Sequence, residues 1–124
     1  MEIWKDIKGF EGFYQVSNLG NVRSLDRVII EKNSVRTVKR KGVLLKLGYD
    51  EKGYNRIYLT KNCKKKTLKV HRLVAQHFLE KKENKKEVNH KDGDKNNNKV
   101  SNLEWCNRRE NMIHYFTKIK NKQT

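Results

Sequence analysis

The sequence has 124 residues, which is enough for one domain or two small lobes around a modest core. Its formal net charge is +16, and because so much like charge repels itself in a folded protein, a polyanionic partner such as nucleic acid is expected. No apolar run approaches the ~20 residues that span a bilayer, and no early apolar segment predicts a secretory leader, so membrane and secreted classes are disfavoured.

Short strands are predicted for the first two-thirds of the chain. Proline is absent, so glycine and asparagine must make the turns. Three hairpins are predicted, with turns at 18–20, 32–34 and 48–53, and their paired strands are 13–17 with 21–25, 28–30 with 35–39, and 43–47 with 54–59. A further strand is predicted at 67–70, after the Lys64–Lys66 run.

The hydrophobic period changes from strand-like to helical after this point. Leu73, Val74, His77 and Phe78 have the spacing of an amphipathic helix over residues 71–82, which the lysine-rich stretch 81–87 ends.

The C-terminal part predicts two brief strands and a second helix. The strands cover 88–90 and 103–106 and flank a polar loop at 91–101. Asn107 and Glu110 have capping-box spacing and start a helix with Met112, Phe116 and Ile119 on one stripe, and the tail beyond 120 is expected to fray.

The polar loop and the second helix hold the residues best suited to chemistry. His90 ends a predicted strand just before a glycine turn, and an imidazole with an ordinary pKa accepts a proton near neutral pH. Asn89 and Asn111 offer amide oxygens to a hard cation such as Mg²⁺. A strand–loop–strand–helix order would bring these three residues together.

These segments resemble the HNH endonucleases, in particular the phage and intron homing type with a ββα-metal site. The matching motifs are His-Arg-Leu-Val-Ala at 71–75, Asn-His-Lys-Asp-Gly at 89–93, Asn-Leu-Glu-Trp at 102–105 and Glu-Asn-Met at 110–112. Residues 3–24 resemble the nuclease-associated DNA-binding module that often precedes this domain. The resemblance implies an α+β fold, with an antiparallel β-hairpin DNA-binding module at 1–66 and a ββα-metal (His-Me finger) HNH nuclease lobe at 67–124.

The resemblance also implies a site. His90 would be the general base for phosphodiester hydrolysis in DNA, and Asn102 would brace the loop and orient the His90 ring. Asn89 and Asn111 would hold one divalent ion, Mg²⁺ or Mn²⁺, with His114 as a third ligand or a phosphate contact. The products would carry 5′-phosphate and 3′-hydroxyl ends.

Two features depart from the family pattern. Many relatives have Asp where this chain has Asn89, and a neutral amide adds no charge, so weaker metal binding is expected unless a DNA phosphate completes the site. Better-known relatives also continue into a C-terminal helix-turn-helix, for which a sequence that stops at Thr124 is not expected to leave room. Lower sequence specificity, or a partner that supplies it, is therefore expected.

Double-stranded DNA is the predicted partner of a monomer or weak dimer in the cytoplasm, that of the host cell if the chain is phage-encoded. Eleven residues are candidate DNA contacts: Tyr14, Arg23, Arg27, Lys64, Lys65, Lys66, His71, Arg72, Lys91, Arg108 and Arg109.

Several alternatives stay open. The chain could be a non-catalytic DNA-binding protein derived from such a nuclease, or a basic RNA-binding module, although the stacking motifs usual for RNA are absent. Cys63 and Cys106 are expected to be reduced thiols, while a lone disulfide and a zinc site that adds His71 or His77 are the competing hypotheses. Otherwise His77 is expected to pack in the core, and His71 either starts its helix structurally or faces a phosphate.

Overall fold

The computed structural model describes residues 1–30 and 36–119. Over these ranges the chain has the α+β composition that the sequence predicts. Ten short strands are present: Trp4–Asp6 (β1), Tyr14–Ser17 (β2), Val22–Ser24 (β3), Arg27–Ile30 (β4), Thr37–Arg40 (β5), Gly48–Tyr49 (β6), Asn55–Lys61 (β7), Lys64–Lys69 (β8), Glu87–His90 (β9) and Leu103–Cys106 (β10). The helices are Val70–Phe78 (α1) and Arg108–His114 (α2), with a 3₁₀ turn at Val100–Asn102 and a π-helical turn at Tyr115–Ile119.

The strands form small antiparallel sheets rather than one large one. Their orders are β1-β2-β3, β4-β5, β6-β7-β8 and β9-β10. The β9–β10 hairpin is followed directly by α2, which gives the ββα arrangement. None of the helices within the described ranges has the length and apolar character to cross a bilayer.

The core joins the N-terminal sheets to the C-terminal hairpin. Alternate residues of β2 and β7 point inward, because one face of each sheet is covered by α1. The buried residues come from both halves of the chain and include Ile7, Val16, Val22, Ile57, Leu59, Leu73, Val74, Leu103 and Trp105. One continuous core therefore joins the β1-β2-β3, β6-β7-β8 and β9-β10 sheets around α1.

His77 also links the two halves of the chain. Its Nδ1 lies 2.7 Å from the Leu73 carbonyl, one turn back in α1, and its Nε2 accepts the Lys8 N–H at 2.9 Å. This half-buried histidine therefore joins α1 to the segment after β1, and its ring nitrogens are committed to backbone partners.

Some predicted boundaries differ from the structure. The helix predicted for 71–82 ends at Phe78, because Leu79 is extended while its N–H still bonds the Ala75 carbonyl. Residues 43–47 make only an isolated bridge, between Arg23 and Leu44, instead of a strand. The lysine run belongs to β8, since each of its residues pairs with β7.

The turn predicted at 32–34 and the frayed tail beyond 120 lie outside the described residues. The predicted division between 66 and 67 falls inside β8, and as a division of function it stays a prediction.

Tyr14 of β2 is hydrogen-bonded to β7 through its hydroxyl. Its ring is buried, and its hydroxyl bonds both the carbonyl oxygen and the N–H of Thr60, at 3.3 and 3.2 Å. The hydroxyl therefore holds β7 against β2, and the expected contact of Tyr14 with DNA stays a prediction.

We predict that Tyr14→Phe lowers the free energy of unfolding by about 1–3 kcal/mol, because the Thr60 N–H loses its side-chain partner. Urea unfolding measures the difference. Tyr58→Phe is the matched control, since the Tyr58 ring lies on the exposed face of β7, the strand that contains Thr60. Equal stabilities for the two variants would contradict this role.

Candidate active site

The β9–β10 hairpin sets the positions of the candidate site residues. His90 is paired with Leu103, and Asn89 with Glu104, in antiparallel register. Paired residues share a sheet face, so Asn89 and Glu104 lie side by side on the face opposite to that of His90. His90 ends β9, and the turn at Gly93, with a φ of 78°, reverses the chain immediately afterwards.

One pocket brings together the three residues that the sequence singles out. Asn89, His90 and Asn111 line a cleft of about 360 Å³. The remaining lining residues are Tyr54, Val88, Gly93, Lys95 and Tyr115. The three polar groups, which are distant along the chain, therefore open into a common space.

A chain of hydrogen bonds determines which ring nitrogen of His90 carries the proton. Asn55 donates from Nδ2 to the Gly48 carbonyl at 3.4 Å, so its Oδ1 accepts from Asn98 Nδ2 at 2.9 Å. Asn98 Oδ1 is then left to face His90 Nε2 at 2.9 Å. An amide oxygen only accepts, so Nε2 must carry the hydrogen and Nδ1 keeps a free lone pair.

The His90 ring lies in a group of stacked rings. Tyr54 stacks on His71 at 5.0 Å and on His90 at 5.8 Å between ring centroids, and the two histidines are 5.0 Å apart. Burial lowers the pKa of His90 below its ordinary value, although the Asn98 hydrogen bond opposes this shift. His90 is therefore uncharged at neutral pH, the form in which an imidazole can accept a proton.

The His71 ring is also uncharged at neutral pH. Burial lowers its pKa to about 3, and His90, Lys69 and Arg72 act in the same direction. Its Nδ1 is buried with no hydrogen-bond partner among the described residues. The ring packs beside His90 inside the protein, and the expected contact of His71 with DNA stays a prediction.

The two candidate metal ligands have defined amide orientations. Asn89 donates from Nδ2 to Glu104 Oε1 at 3.1 Å, and Asn111 donates from Nδ2 to Glu87 Oε1 at 3.5 Å. Neither Oδ1 accepts a hydrogen bond from a described residue, and neither is among the buried polar atoms that lack partners. Both oxygens are therefore open to the pocket.

This donor set fits a hard divalent cation. Amide oxygens backed by carboxylates suit Mg²⁺ or Mn²⁺ better than a soft metal. His114 is placed differently, since its Nε2 is buried without a partner and it does not line the pocket. Cys63 is exposed and Cys106 is buried, both as free thiols, and in the described part of the chain no cluster of three His, Cys, Asp or Glu side chains has metal-site geometry.

Asn102 holds the polar loop that follows His90. Its Oδ1 accepts the Asp92 N–H at 3.1 Å, and its Nδ2 donates to Asp92 Oδ1 and the Asn97 carbonyl, both at 2.9 Å. Its own carbonyl accepts the Lys91 N–H. Asn102 thus braces the loop, whereas the hydrogen bond to the His90 ring comes from Asn98.

The candidate DNA contacts differ in how exposed their side chains are and in the partners that they already have within the chain. Arg23 is half-buried over Trp4 with its guanidinium bonded to Gln15, and Arg27 lies over Phe13. Arg72 donates to the Lys86 carbonyl. The remaining candidates are exposed, namely Lys64, Lys65, Lys66, Lys91, Arg108 and Arg109.

Sequence reasoning missed Asn98, Asn55 and Tyr54. The first belongs to the run of three asparagines after Lys95, and nothing in that run distinguishes the member that turns toward His90. Asn55 and Tyr54 reach the site only because the start of β7 lies beside the polar loop. No local motif marks them.

Comparison with known proteins gives two family matches that together cover most of the chain. The family described as the NUMOD4 motif matches residues 2–60, and the family described as HNH endonuclease matches residues 68–113.

Individual relatives agree with these matches. The DNA endonuclease I-HmuI of Bacillus phage SP01 is 46% identical over 109 residues, which are 88% of this chain and 55% of that protein. An uncharacterized HNH endonuclease of Acanthamoeba polyphaga mimivirus is 41% identical over 114 residues, 92% of this chain and 30% of its own length. The chain thus spans about half, or less, of the curated relatives it matches.

A solved structure is also similar. It describes DNA binding and cleavage by the HNH homing endonuclease I-HmuI, and it matches with a TM-score of 0.73 and 40% identity over 98% of this chain and 64% of that one. The likeness extends over the N-terminal sheets as well as the ββα hairpin.

The buried, neutral His71 gives a prediction about stability and pH. In the unfolded chain His71 binds a proton near pH 6.5, whereas in the folded protein it binds one only near pH 3, so its contribution to stability is complete above pH 6.5 and falls as pH falls between these values. Wild type should lose about 2 kcal/mol relative to His71→Gln between pH 7 and pH 5. Urea unfolding at both pH values tests this, and parallel pH dependence of the two proteins would contradict it.

Proposed function

The chain belongs to the HNH endonuclease family, and from this we propose that it hydrolyses phosphodiester bonds in DNA with one divalent ion and His90 as general base. The observation that carries the proposal is the hydrogen-bonded path from Asn55 through Asn98 to His90. It leaves a neutral imidazole with a free Nδ1 in the pocket that Asn89 and Asn111 also line.

Asn89 and Asn111 are the proposed metal ligands, through their open Oδ1 atoms. Oxygen donors favour Mg²⁺ or Mn²⁺ as the ion. When bound, such an ion stabilises negative charge on the scissile phosphate and the leaving 3′ oxygen.

His90 Nδ1 accepts a proton from the attacking water. The hydrogen on Nε2 stays bonded to Asn98, which keeps the ring in place as positive charge develops on it. Lys95 lines the same pocket and supplies positive charge for the phosphate. Attack of the water oxygen on phosphorus breaks the bond to the 3′ oxygen, which takes a proton from solvent, so the products carry 5′-phosphate and 3′-hydroxyl ends.

Exposed basic side chains form the proposed binding surface for double-stranded DNA. Lys64, Lys65 and Lys66 lie on β8, Lys91 follows the candidate base, and Arg108 and Arg109 begin α2. Contacts of this kind are to phosphates and carry little sequence information. We propose a monomer or weak dimer that cuts one strand per event, since each chain holds one such pocket among its described residues. A phage relative is consistent with action in the cytoplasm of a host cell.

We predict that His90→Ala slows plasmid nicking with Mg²⁺ by about 10²- to 10⁴-fold, the usual contribution of a positioned base. DNA affinity without metal, measured by fluorescence anisotropy, should change little because His90 is buried. Equal nicking by variant and wild type in clean preparations would overturn the proposal. DNA binding without any metal-dependent cleavage by wild type would instead favour a non-catalytic DNA-binding protein.

A second prediction separates the asparagine that orients His90 from its neighbours. Asn98→Ala should lower kcat by about 10- to 100-fold, as loss of such an outer partner usually does, with little change in KM. Asn96→Ala is the matched control, because that exposed side chain belongs to the same run and makes no contact with His90. Equal kcat values for the two variants would show that the Asn98 hydrogen bond does not matter for catalysis.

A further inference from the structure

Two glutamates lie directly behind the candidate metal ligands. Glu104 is the cross-strand partner of Asn89, and Glu87 lies two residues before Asn89 on the same sheet face. Each accepts a hydrogen bond from the amide nitrogen of one asparagine, Glu104 from Asn89 and Glu87 from Asn111.

These contacts allow one orientation of each amide. A carboxylate only accepts hydrogen bonds, so the atom facing it must be Nδ2, and Oδ1 must point elsewhere. Without the glutamates, either amide could turn by half a rotation and present a nitrogen, which cannot ligate a cation. Glu104 and Glu87 therefore determine that both asparagines present oxygen.

The glutamates also supply the negative charge that amide ligands lack. In the described part of the chain, neither forms an ion pair with a lysine or arginine, although the protein carries +16 overall. The negative charges of Glu87 and Glu104 act on a neighbouring group of the same sheet face. The pKa of the Cys106 thiol is raised to about 11, chiefly by burial and then by these two carboxylates. A cation beside Asn89 and Asn111 would be close to both carboxylates.

We propose that Glu104 and Glu87 are positioning residues for the divalent ion, which orient the Asn89 and Asn111 oxygens and supply the negative charge that these neutral ligands lack. The inference rests on the proposed function of the same pocket. It accounts for how the site can work with Asn89 where many relatives have Asp, because the carboxylates behind the ligands supply the charge that the amides lack.

The test measures Mn²⁺ binding to the metal-free full chain by electron paramagnetic resonance, which is independent of cleavage. Glu104→Gln and Glu87→Gln keep an acceptor oxygen and remove the charge, and each should weaken Mn²⁺ binding by about 10-fold. Glu104→Leu removes the acceptor as well and should weaken binding further. Glu83→Gln, at an exposed glutamate of the loop before β9, is the control for net charge and should bind as wild type does.

A rescue variant separates a charge effect from a general loss of structure. Asn89→Asp in the Glu104→Gln background returns one carboxylate to the site and should restore Mn²⁺ affinity to within about 3-fold of wild type. In the wild-type background the same change sets two carboxylates side by side and should gain less, so the two effects are coupled. Thermal unfolding of each variant shows that it is folded.

The outcomes distinguish the two proposals. If Asn89→Ala abolishes Mn²⁺ binding while both glutamine variants bind as wild type does, the inference is wrong and the proposed nuclease site stands. If wild type neither binds Mn²⁺ nor nicks DNA, the proposed function fails, and the inference fails with it.

Discussion

The line of hydrogen bonds from the Gly48 carbonyl through Asn55 and Asn98 to His90 is the constraint on which the candidate site depends. The line begins at a backbone carbonyl, which can only accept, so Asn55 must turn its Nδ2 toward Gly48 and its Oδ1 toward Asn98. Asn98 must then donate from its Nδ2 to Asn55 and face His90 with its Oδ1, so each amide has one possible orientation. The three side chains are also buried, so breaking any of these bonds would leave polar groups unpaired away from water. The proton on His90 Nε2 is thus determined by the fold.

This line crosses from one family segment into the other. Asn55 and Tyr54 lie within residues 2–60, which match the NUMOD4 motif, whereas Asn98 and His90 lie within the HNH match. The N-terminal hairpin also supports the loop from the other side. A Cβ on Gly20 would lie 2.7 Å from Asn98 Cβ, and the Asn18 carbonyl accepts the Val100 N–H. The N-terminal sheets therefore help to build the candidate active site, in addition to the DNA-binding role proposed for them.

The sequence predicted those parts that depend on local pattern. The amphipathic spacing of α1, the capping box of α2 and the brief strands around the polar loop all lie close to where the structure has them, since each follows from neighbouring residues. The family motifs also identified Asn89, His90 and Asn111, which line one pocket. The contacts made by Tyr54, Asn55, Glu87 and Glu104 depend on register and on packing between sheets, which no short motif encodes. The burial of Tyr14 and His71 could not be predicted for the same reason, because burial depends on what the rest of the chain places over a residue.

The central claim is that His90 is neutral, with its hydrogen on Nε2 and a free lone pair on Nδ1. The most direct measurement is the pair of ¹⁵N chemical shifts of the His90 ring in the metal-free protein at neutral pH. We expect the shift of a protonated nitrogen at Nε2 and of an unprotonated nitrogen at Nδ1. A ring that carries its hydrogen on Nδ1, or on both nitrogens, would contradict it.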